Sequence, residues 1–336
     1  MVGVFDSSRG PKDDEVEAYR ARLERLQGRH GEMVRAITDR VREHYPEEKA
    51  LGKYGFRIRT GFSFKDQPGA SDYSDLKLPK REHRPPATRI LSSRGATLRF
   101  YMTAIAVAQL RGLPGRQLPD LPIVGSKDQL GWTQLVATVA IDQKSQRNFI
   151  TAQNKRARSI KTSLQSLEDA GLVVLGSSGP NRRYDSFVLL NEGGRVSGGD
   201  TVPYVVPRAT DATITLPPEF IRHSWLHVLE DSELVVLLML LCRSGGLIEA
   251  DGAVAMPSGV RALNYGVGRD TYTYARKTLE LFGLVDVEEL GRHSDGRADS
   301  TEPHRLHRFT VKPAAFGTDA LALVIDRLKS QVKAYG

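Results

Sequence analysis

Apolar positions recur at helical spacing in two places, and each time the pattern stops at a glycine and passes into a β-prone run. In residues 266–285, GVGRDTYTYARKTLELFGLV, the positions Tyr272, Ala275, Leu279 and Phe282 share one helix face that must be buried, while Thr273, Tyr274 and Lys277 point the other way. Asp270 is placed to cap the helix start and Gly283 to take the left-handed conformation that ends it. Leu284, Val285 and Val287 then predict a strand. Residues 157–174, ARSIKTSLQSLEDAGLVV, repeat the design: Ala157, Ile160, Leu164 and Leu167 form the stripe, and Lys155, Arg158 and Thr162 face outward with Lys161 on the flank. Laying Gly283 on Gly171 puts Leu279 on Leu167 and Leu284 on Leu172. Two related units in one chain is the economical reading.

Each predicted strand is followed by a turn and a second strand. After Leu175 the run GSSGPNRRYDSFVLL is a hairpin signal with Arg182 and Arg183 near its tip. After Leu290 a longer polar excursion, GRHSDGRADSTEPHRLHRFTV, returns to β-prone residues 309–311. Upstream, residues 231–242 carry LVVLLMLL behind Asp231 or Ser232 as caps and predict a buried core helix, and residues 257–263 a short helix. The matching core helix of the first unit is residues 98–110. Residues 132–141 and 145–153 both look helical there, and periodicity does not say which packs on residues 157–167.

A helix followed by a β-hairpin with arginines at its tip resembles the recognition helix and wing of the winged-helix superfamily. The likeness covers residues 266–285 and 157–190 best. It implies an α+β, mainly helical chain with two tandem winged-helix domains, at 96–192 and 213–316, joined by a Gly- and Pro-bearing linker at 193–212. Before them stand an N-terminal helix and strand region (1–64), where Val16, Tyr19, Leu23, Leu26, His30, Met33 and Ile37 make a heptad-like stripe, and a basic arm or linker at 65–95. Gly28 and Gly31 weaken that helix by about 1 kcal/mol each relative to Ala. Its stripe suits either a homodimer seam or a helix folded back on its own domain. Residues 54–64 alternate like a strand or hairpin, and 317–336 form a C-terminal helix.

Charge sharpens the picture. The chain of 336 residues has a net charge of +8, unevenly placed: residues 96–192 hold twelve Lys/Arg against seven Asp/Glu, and residues 193–336 sixteen against eighteen. From 143 to 169 the bases Lys144, Arg147, Lys155, Arg156, Arg158 and Lys161 face only Glu168 and Asp169. Such a patch is either a solvated helix face or the electrostatic footprint of a phosphate-binding surface. In the second unit Arg269, Lys277, Arg292, Arg297, Arg305 and Arg308 sit where a helix and wing would need them, although a partner-binding winged helix fits too. Lys80, Arg81, Arg84 and Arg89 in the arm could touch phosphate or be merely solvated.

Catalytic signals are thin. There is no GxxxxGK[ST], no HExxH and a single cysteine, Cys242, inside an apolar run, so no phosphate loop, zinc motif or disulfide framework is expected, and no cofactor or metal. Tyr272 and Tyr274 beside His304, Arg305, His307 and Arg308 would suit a strand-transfer nucleophile, but the histidine spacing of rolling-circle nicking enzymes is absent. A basic wing accounts for the same residues. Residues 1–15 lack a signal-peptide pattern and no run of eighteen apolar residues occurs, so a cytoplasmic protein without membrane partners is expected.

The resemblance implies double-stranded DNA as partner. Arg158, Ser159, Lys161 and Thr162 would read bases or phosphates with Arg182 and Arg183 on the wing; Arg269, Thr273, Tyr274 and Lys277 would do so in the second unit, with Arg292 and Arg297 on its wing. Two such helices in adjacent major grooves predict a site of roughly 20 base pairs. Tandem units of this kind are loosely similar to initiators that bind repeated sites at plasmid replication origins and recruit replication proteins. A transcriptional regulator is the close alternative, and a nicking enzyme the alternative of another class.

Overall fold

Both predicted glycine stops are built from the same pair of backbone bonds. Gly171 and Gly283 sit at φ +70° and +72°. Gly171 N donates to Glu168 O and Leu172 N to Leu167 O, and the equivalents Gly283 N to Glu280 O and Leu284 N to Leu279 O recur, all at 2.8–2.9 Å. This arrangement satisfies the last helical carbonyls and turns the chain at once into a strand. The computed structural model describes residues 10–46, 49–67, 77–91, 96–116, 121–126, 129–138, 143–144, 149–176, 179, 183–184, 186–194, 201–244, 247–288 and 307–336.

The chain is mainly helical with small antiparallel sheets. Three N-terminal helices, α1 (Asp13–Gln27), α2 (Arg29–His44) and α3 (Lys49–Tyr54), lead into β1 (Phe56–Arg59). A short helix α4 (Pro86–Ile90) precedes the first unit: α5 (Thr97–Arg111), α6 (Trp132–Leu135), β2 (Gln143–Lys144), β3 (Phe149–Ile150), α7 (Ala152–Asp169), β4 (Val173–Leu175) and β5 (Phe187–Leu189). Then β6 (Thr213–Leu216), α8 (Glu219–Arg222) and α9 (Trp225–Val228) lead to the second: α10 (Asp231–Cys242), β7 (Leu247–Ile248), β8 (Val254–Ala255), α11 (Ser258–Leu263), α12 (Arg269–Leu281), β9 (Val285–Glu288) and β10 (Arg308–Val311). Helix α13 (Ala320–Tyr335) closes the chain. The strands of the second unit run in the order β7-β8-β10-β9, with Phe309 opposite both Val254 and Val287; β4 pairs β5 alone.

Several local expectations change. The N-terminal stripe is two helices, broken at Gly28, where the backbone is extended. A Cβ on Gly31 would lie 1.9 Å from Leu26 O, so the close approach of the two helices demands glycine there. Helix α10 is capped by Glu230 and not by Asp231 or Ser232: Glu230 N donates to Glu233 Oε2 at 2.8 Å. The cap position of α12 is Gly268, which puts Asp270 inside the first turn. Of the expected helix at 145–153, residues 145–148 lie outside the described residues, Phe149–Ile150 form strand β3 paired with β2, and α7 starts only after Thr151, whose hydroxyl accepts from Asn154 N at 3.1 Å. Residues 132–141 shrink to the single turn α6 within the described part.

The N-terminal region and the arm are woven into the rest. Strand β1 pairs antiparallel with β6, Phe56 opposite Leu216, and Arg59 binds Glu192 at 2.6 Å and Asp211 at 2.7 Å, anchoring both ends of the expected 193–212 linker. The buried Val16, Tyr19, Leu26, His30 and Ile37 join a single apolar cluster or its edge, with α1 packed on α13. The heptad-like stripe is therefore covered within the chain, as the alternative of a helix folded back on its own domain expects. At its centre Arg22 donates to both oxygens of Glu233, at 2.5 and 2.9 Å, and to Val228 O at 3.2 Å, with its guanidinium over the Phe282 ring. Burial works to lower the Arg22 pKa, but the Glu233 carboxylate outweighs it and the net shift is upward.

Removing one partner of a buried ion pair strands the other, so Arg22→Ala should lower unfolding free energy by about 3–5 kcal/mol, measured by urea denaturation; a loss under about 1 kcal/mol would remove this pair as the anchor. Beside it, burial and the positive Arg99 push His30 down to about 4 and His227 to about 3, and His30 Nε2 lies 3.2 Å from His227 O. Both imidazoles are neutral in the folded chain, while the unfolded chain takes up protons below about pH 6.5. Their contribution is full above that pH and is lost as pH falls from there toward 4 and 3. The urea midpoint should drop over that window, and less steeply in His30→Gln.

Candidate nucleic-acid interface

Helix α7 divides its faces cleanly. Ile160, Leu164 and Leu167 are fully buried against α5 and α6, whereas Arg158, Thr162 and Asp169 are exposed and Lys161 and Gln165 half-buried. The outward positions 158, 161, 162, 165, 166 and 169 line a groove of about 890 Å³ that runs along the helix. Tyr184, just before β5, closes one side, with its ring 5.7 Å from Lys161 Nζ. Arg81, Glu82, Arg89 and Ile90 from the arm form the opposite wall. The acids on this face are engaged: Glu168 binds Arg183 at 2.5 Å and accepts from Leu175 N at 3.1 Å, and Asp169 accepts from Gln165 Nε2 at 3.0 Å.

Like charges crowd the arm side. Arg81 Nε donates to Arg89 O at 2.6 Å, Arg84 Nε to Pro79 O at 2.8 Å and Lys65 Nζ to His83 O at 3.0 Å. Burial lowers the pKa of all three of Arg89, Arg84 and Lys65, and neighbouring cations add to it, Arg81 for Arg84 and Arg89 for Lys65. A pKa pulled down by neighbouring cations marks a positive local potential.

The sequence-predicted residues are thus distributed unevenly. Arg158, Lys161 and Thr162 come together in the groove. Ser159 faces a second cleft, shared with Arg25, His30, Arg99 and Thr138. Lys155 and Arg156 are half-buried near the helix start, and Arg183 is tied to Glu168. Lys144 lies in β2, where only the backbone is described; Arg147, Arg182, Arg292 and Arg297 lie outside the described residues. Gln165, Ser166 and Tyr184 were not singled out by sequence, although continuing the stripe from Arg158 by two turns points to the first two.

Helix α12 is placed differently. Arg269 and Asp270 at its start are exposed and Thr273 is half-buried. Further along, Lys277 Nζ binds Glu15 of α1 at 2.5 Å, and Tyr274 lies among Arg22, Glu230 and Glu233, its phenol pushed up to about 12 chiefly by burial. The face expected to point outward is covered by α1 over its second half. Arg308 at the start of β10 is held by Asp251 at 2.5 Å and Glu288 at 2.6 Å. Tyr272 packs edge-on against Phe309 under Arg261, and burial raises it to about 12.

Among the described residues no three His, Cys, Asp or Glu side chains gather to hold a metal, and no helix is long and apolar enough to cross a membrane. Comparison with family models, curated proteins and solved structures finds no match to this chain.

The pairing of Lys277 with Glu15 is directly testable by amine labelling read by mass spectrometry. Lys277 should react more slowly than the exposed Lys53 in the parent, and Glu15→Ala should bring its rate to within a few-fold of Lys53. Equal rates in the parent would contradict the cover.

Proposed function

We propose that the chain is a non-catalytic, sequence-specific double-stranded DNA-binding protein with two winged-helix units, and that the first unit carries most of the contact. The observation that carries this reading is the basic face of α7, where Arg158, Lys161 and Thr162 look into a groove and the helix's own acids, Glu168 and Asp169, are engaged by Arg183 and Gln165. A helix of 18 residues with such a face has the dimensions and charge to enter a major groove, where arginine and threonine can reach base edges and lysine phosphates. The winged-helix reading is supported in the second unit by the order α10, β8, α11, α12, β9, β10 and by β10 lying between β8 and β9. In the first unit it is supported by the matching glycine stop and the β4–β5 hairpin.

The non-catalytic reading is favoured by the two tyrosines. A nucleophilic phenol needs a lowered pKa and an open approach, whereas burial raises Tyr272 and Tyr274, both half-buried, and Tyr272 packs on Phe309. Two DNA-facing units in one chain suit an origin-binding initiator of the plasmid type, located in the cytoplasm with replication proteins as partners; a transcriptional regulator uses the same geometry. Sequencing DNA selected by the purified protein separates the roles, since clustered direct repeats favour the initiator and a lone palindrome the regulator.

Fluorescence anisotropy with the selected duplex tests the core of the proposal. Arg158→Ala with Lys161→Ala should weaken binding by about 10- to 100-fold, in line with roughly 1–3 kcal/mol for a base or phosphate contact. Lys277→Ala should change it less than about threefold, since that ammonium is engaged by Glu15. A parent that binds no duplex, or a loss seen only with Lys277→Ala, would overturn the assignment.

A further inference from the structure

Ser159, next to Arg158 on α7, opens onto a second cleft of about 390 Å³. Its walls come from the last turn of α1 (Arg25), the first turn of α2 (His30), α5 (Arg99), the residues after α6 (Thr138) and the start of α10 (Asp231). That volume lies at the small end of the roughly 300–1,000 Å³ usual for ligand pockets. Two wall residues carry buried polar atoms that nothing satisfies. His30 and Thr138 are each 7% exposed, and among the described residues neither His30 Nδ1 nor Thr138 Oγ1 has a hydrogen-bond partner. Buried polar groups are seldom left so, because an unmet donor or acceptor is destabilising.

The chemistry of these atoms defines what would fill the cleft. His30 Nε2 lies 3.2 Å from the carbonyl of His227, so the ring proton is on Nε2 and Nδ1 is an acceptor. Thr138 Oγ1 can accept as well. Asp231 is half-buried and meets Arg99 at 3.5 Å, with no hydrogen bond to its carboxylate among the described residues. Burial raises its pKa, Arg99 opposes the rise and Glu230 adds to it. A negative charge suits the first turn of α10 by itself, so Asp231 alone implies no ligand; the two unmet neutral atoms in the same cleft do. Three acceptors match the three N–H bonds of an ammonium. A bare cation is disfavoured, because Arg99 and Arg25 add to burial in pushing the His30 pKa down and so mark a positive potential. Arg99 is fixed by Leu226 O at 3.3 Å and Leu229 O at 2.9 Å through Nε and Nη2, and Arg25 pairs with Glu230 at 2.8 Å. Two guanidiniums and two carboxylates balance, so the cleft favours a ligand with both charges and no net charge.

We propose that this cleft binds a free α-amino acid, its ammonium held by Asp231, Thr138 Oγ1 and His30 Nδ1 and its carboxylate by the Nη1 edge of Arg99. Ala96, Ala137 and Val228 supply apolar wall beside these groups. The site is independent of the DNA-binding reading, since none of the residues that hold the ligand lines the α7 groove.

Thermal melting and titration calorimetry of the full chain against each common free amino acid test this. At least one should bind saturably and, in large excess over Kd, raise the melting temperature by about 3 °C or more. Its N-acetyl and methyl ester forms, each lacking one charge, should bind at least about tenfold more weakly. Asp231→Asn should weaken binding by about 10- to 100-fold. Thr138→Val should weaken it by about threefold to tenfold and leave the melting temperature of the empty protein unchanged or higher, since the hydroxyl it removes is unpaired there. Because Asp231 also serves the start of α10, Thr138→Val carries the test if Asp231→Asn fails to fold. No saturable binding by any of these amino acids overturns the proposal. So does undiminished binding of the N-acetyl or methyl ester form, or parent-like binding by either variant. A lower melting temperature of empty Thr138→Val would give the hydroxyl a structural role and overturn its place in the site.

Discussion

The buried pair of Arg22 and Glu233 sets the arrangement of everything around it. Glu233 belongs to the almost wholly apolar helix α10, where an uncompensated carboxylate would be severely destabilising, and it also accepts from Glu230 N at the helix start. Arg22 therefore has to lie against α10, and its hydrogen bond to Val228 O and its position over Phe282 fix the direction of α1. An apolar pair could give similar stability. Two-point recognition between guanidinium and carboxylate adds a geometric constraint that apolar packing lacks.

From that constraint follows an asymmetry between two units that look alike in sequence. With α1 in place, Glu15 reaches Lys277 and Arg22 lies beside Tyr274, so the second half of the α12 face is enclosed. Among the described residues no long helix covers the outward face of α7 in this way. Its outward face meets the arm across an open groove, and the arm is docked on the turn before α12. On the proposed reading the more basic unit does the reading of DNA, and the second presents only the start of its helix.

The glycine stops, the helix stripes and the strands that follow them were legible in the sequence because each depends on neighbours a few residues away. Gly171 and Gly283 adopt left-handed backbone that glycine takes most readily, and the apolar periods of α7 and α12 name their own buried faces. The groove residues Arg158, Lys161 and Thr162 follow from the same periodicity. The β2–β3 pair escaped notice because a run as short as Phe149 and Ile150 fits helix or strand equally well. The cap of α10 was misplaced because Glu230 is an unusual cap residue whose role depends on Glu233 three positions on. The cover over α12 could not be read locally at all, since Glu15 and Lys277 are 262 positions apart, and neither could the docking of an arm whose Pro-rich, charged composition looks like a solvated linker.

Amide hydrogen exchange of the full chain, with and without a duplex bearing its selected site, tests most directly whether α7 and not α12 is the main DNA-facing helix. The account predicts that DNA slows exchange in residues 152–169 and leaves residues 274–281 as they were. Slowing confined to residues 269–288, with the α7 segment unaffected, would contradict it.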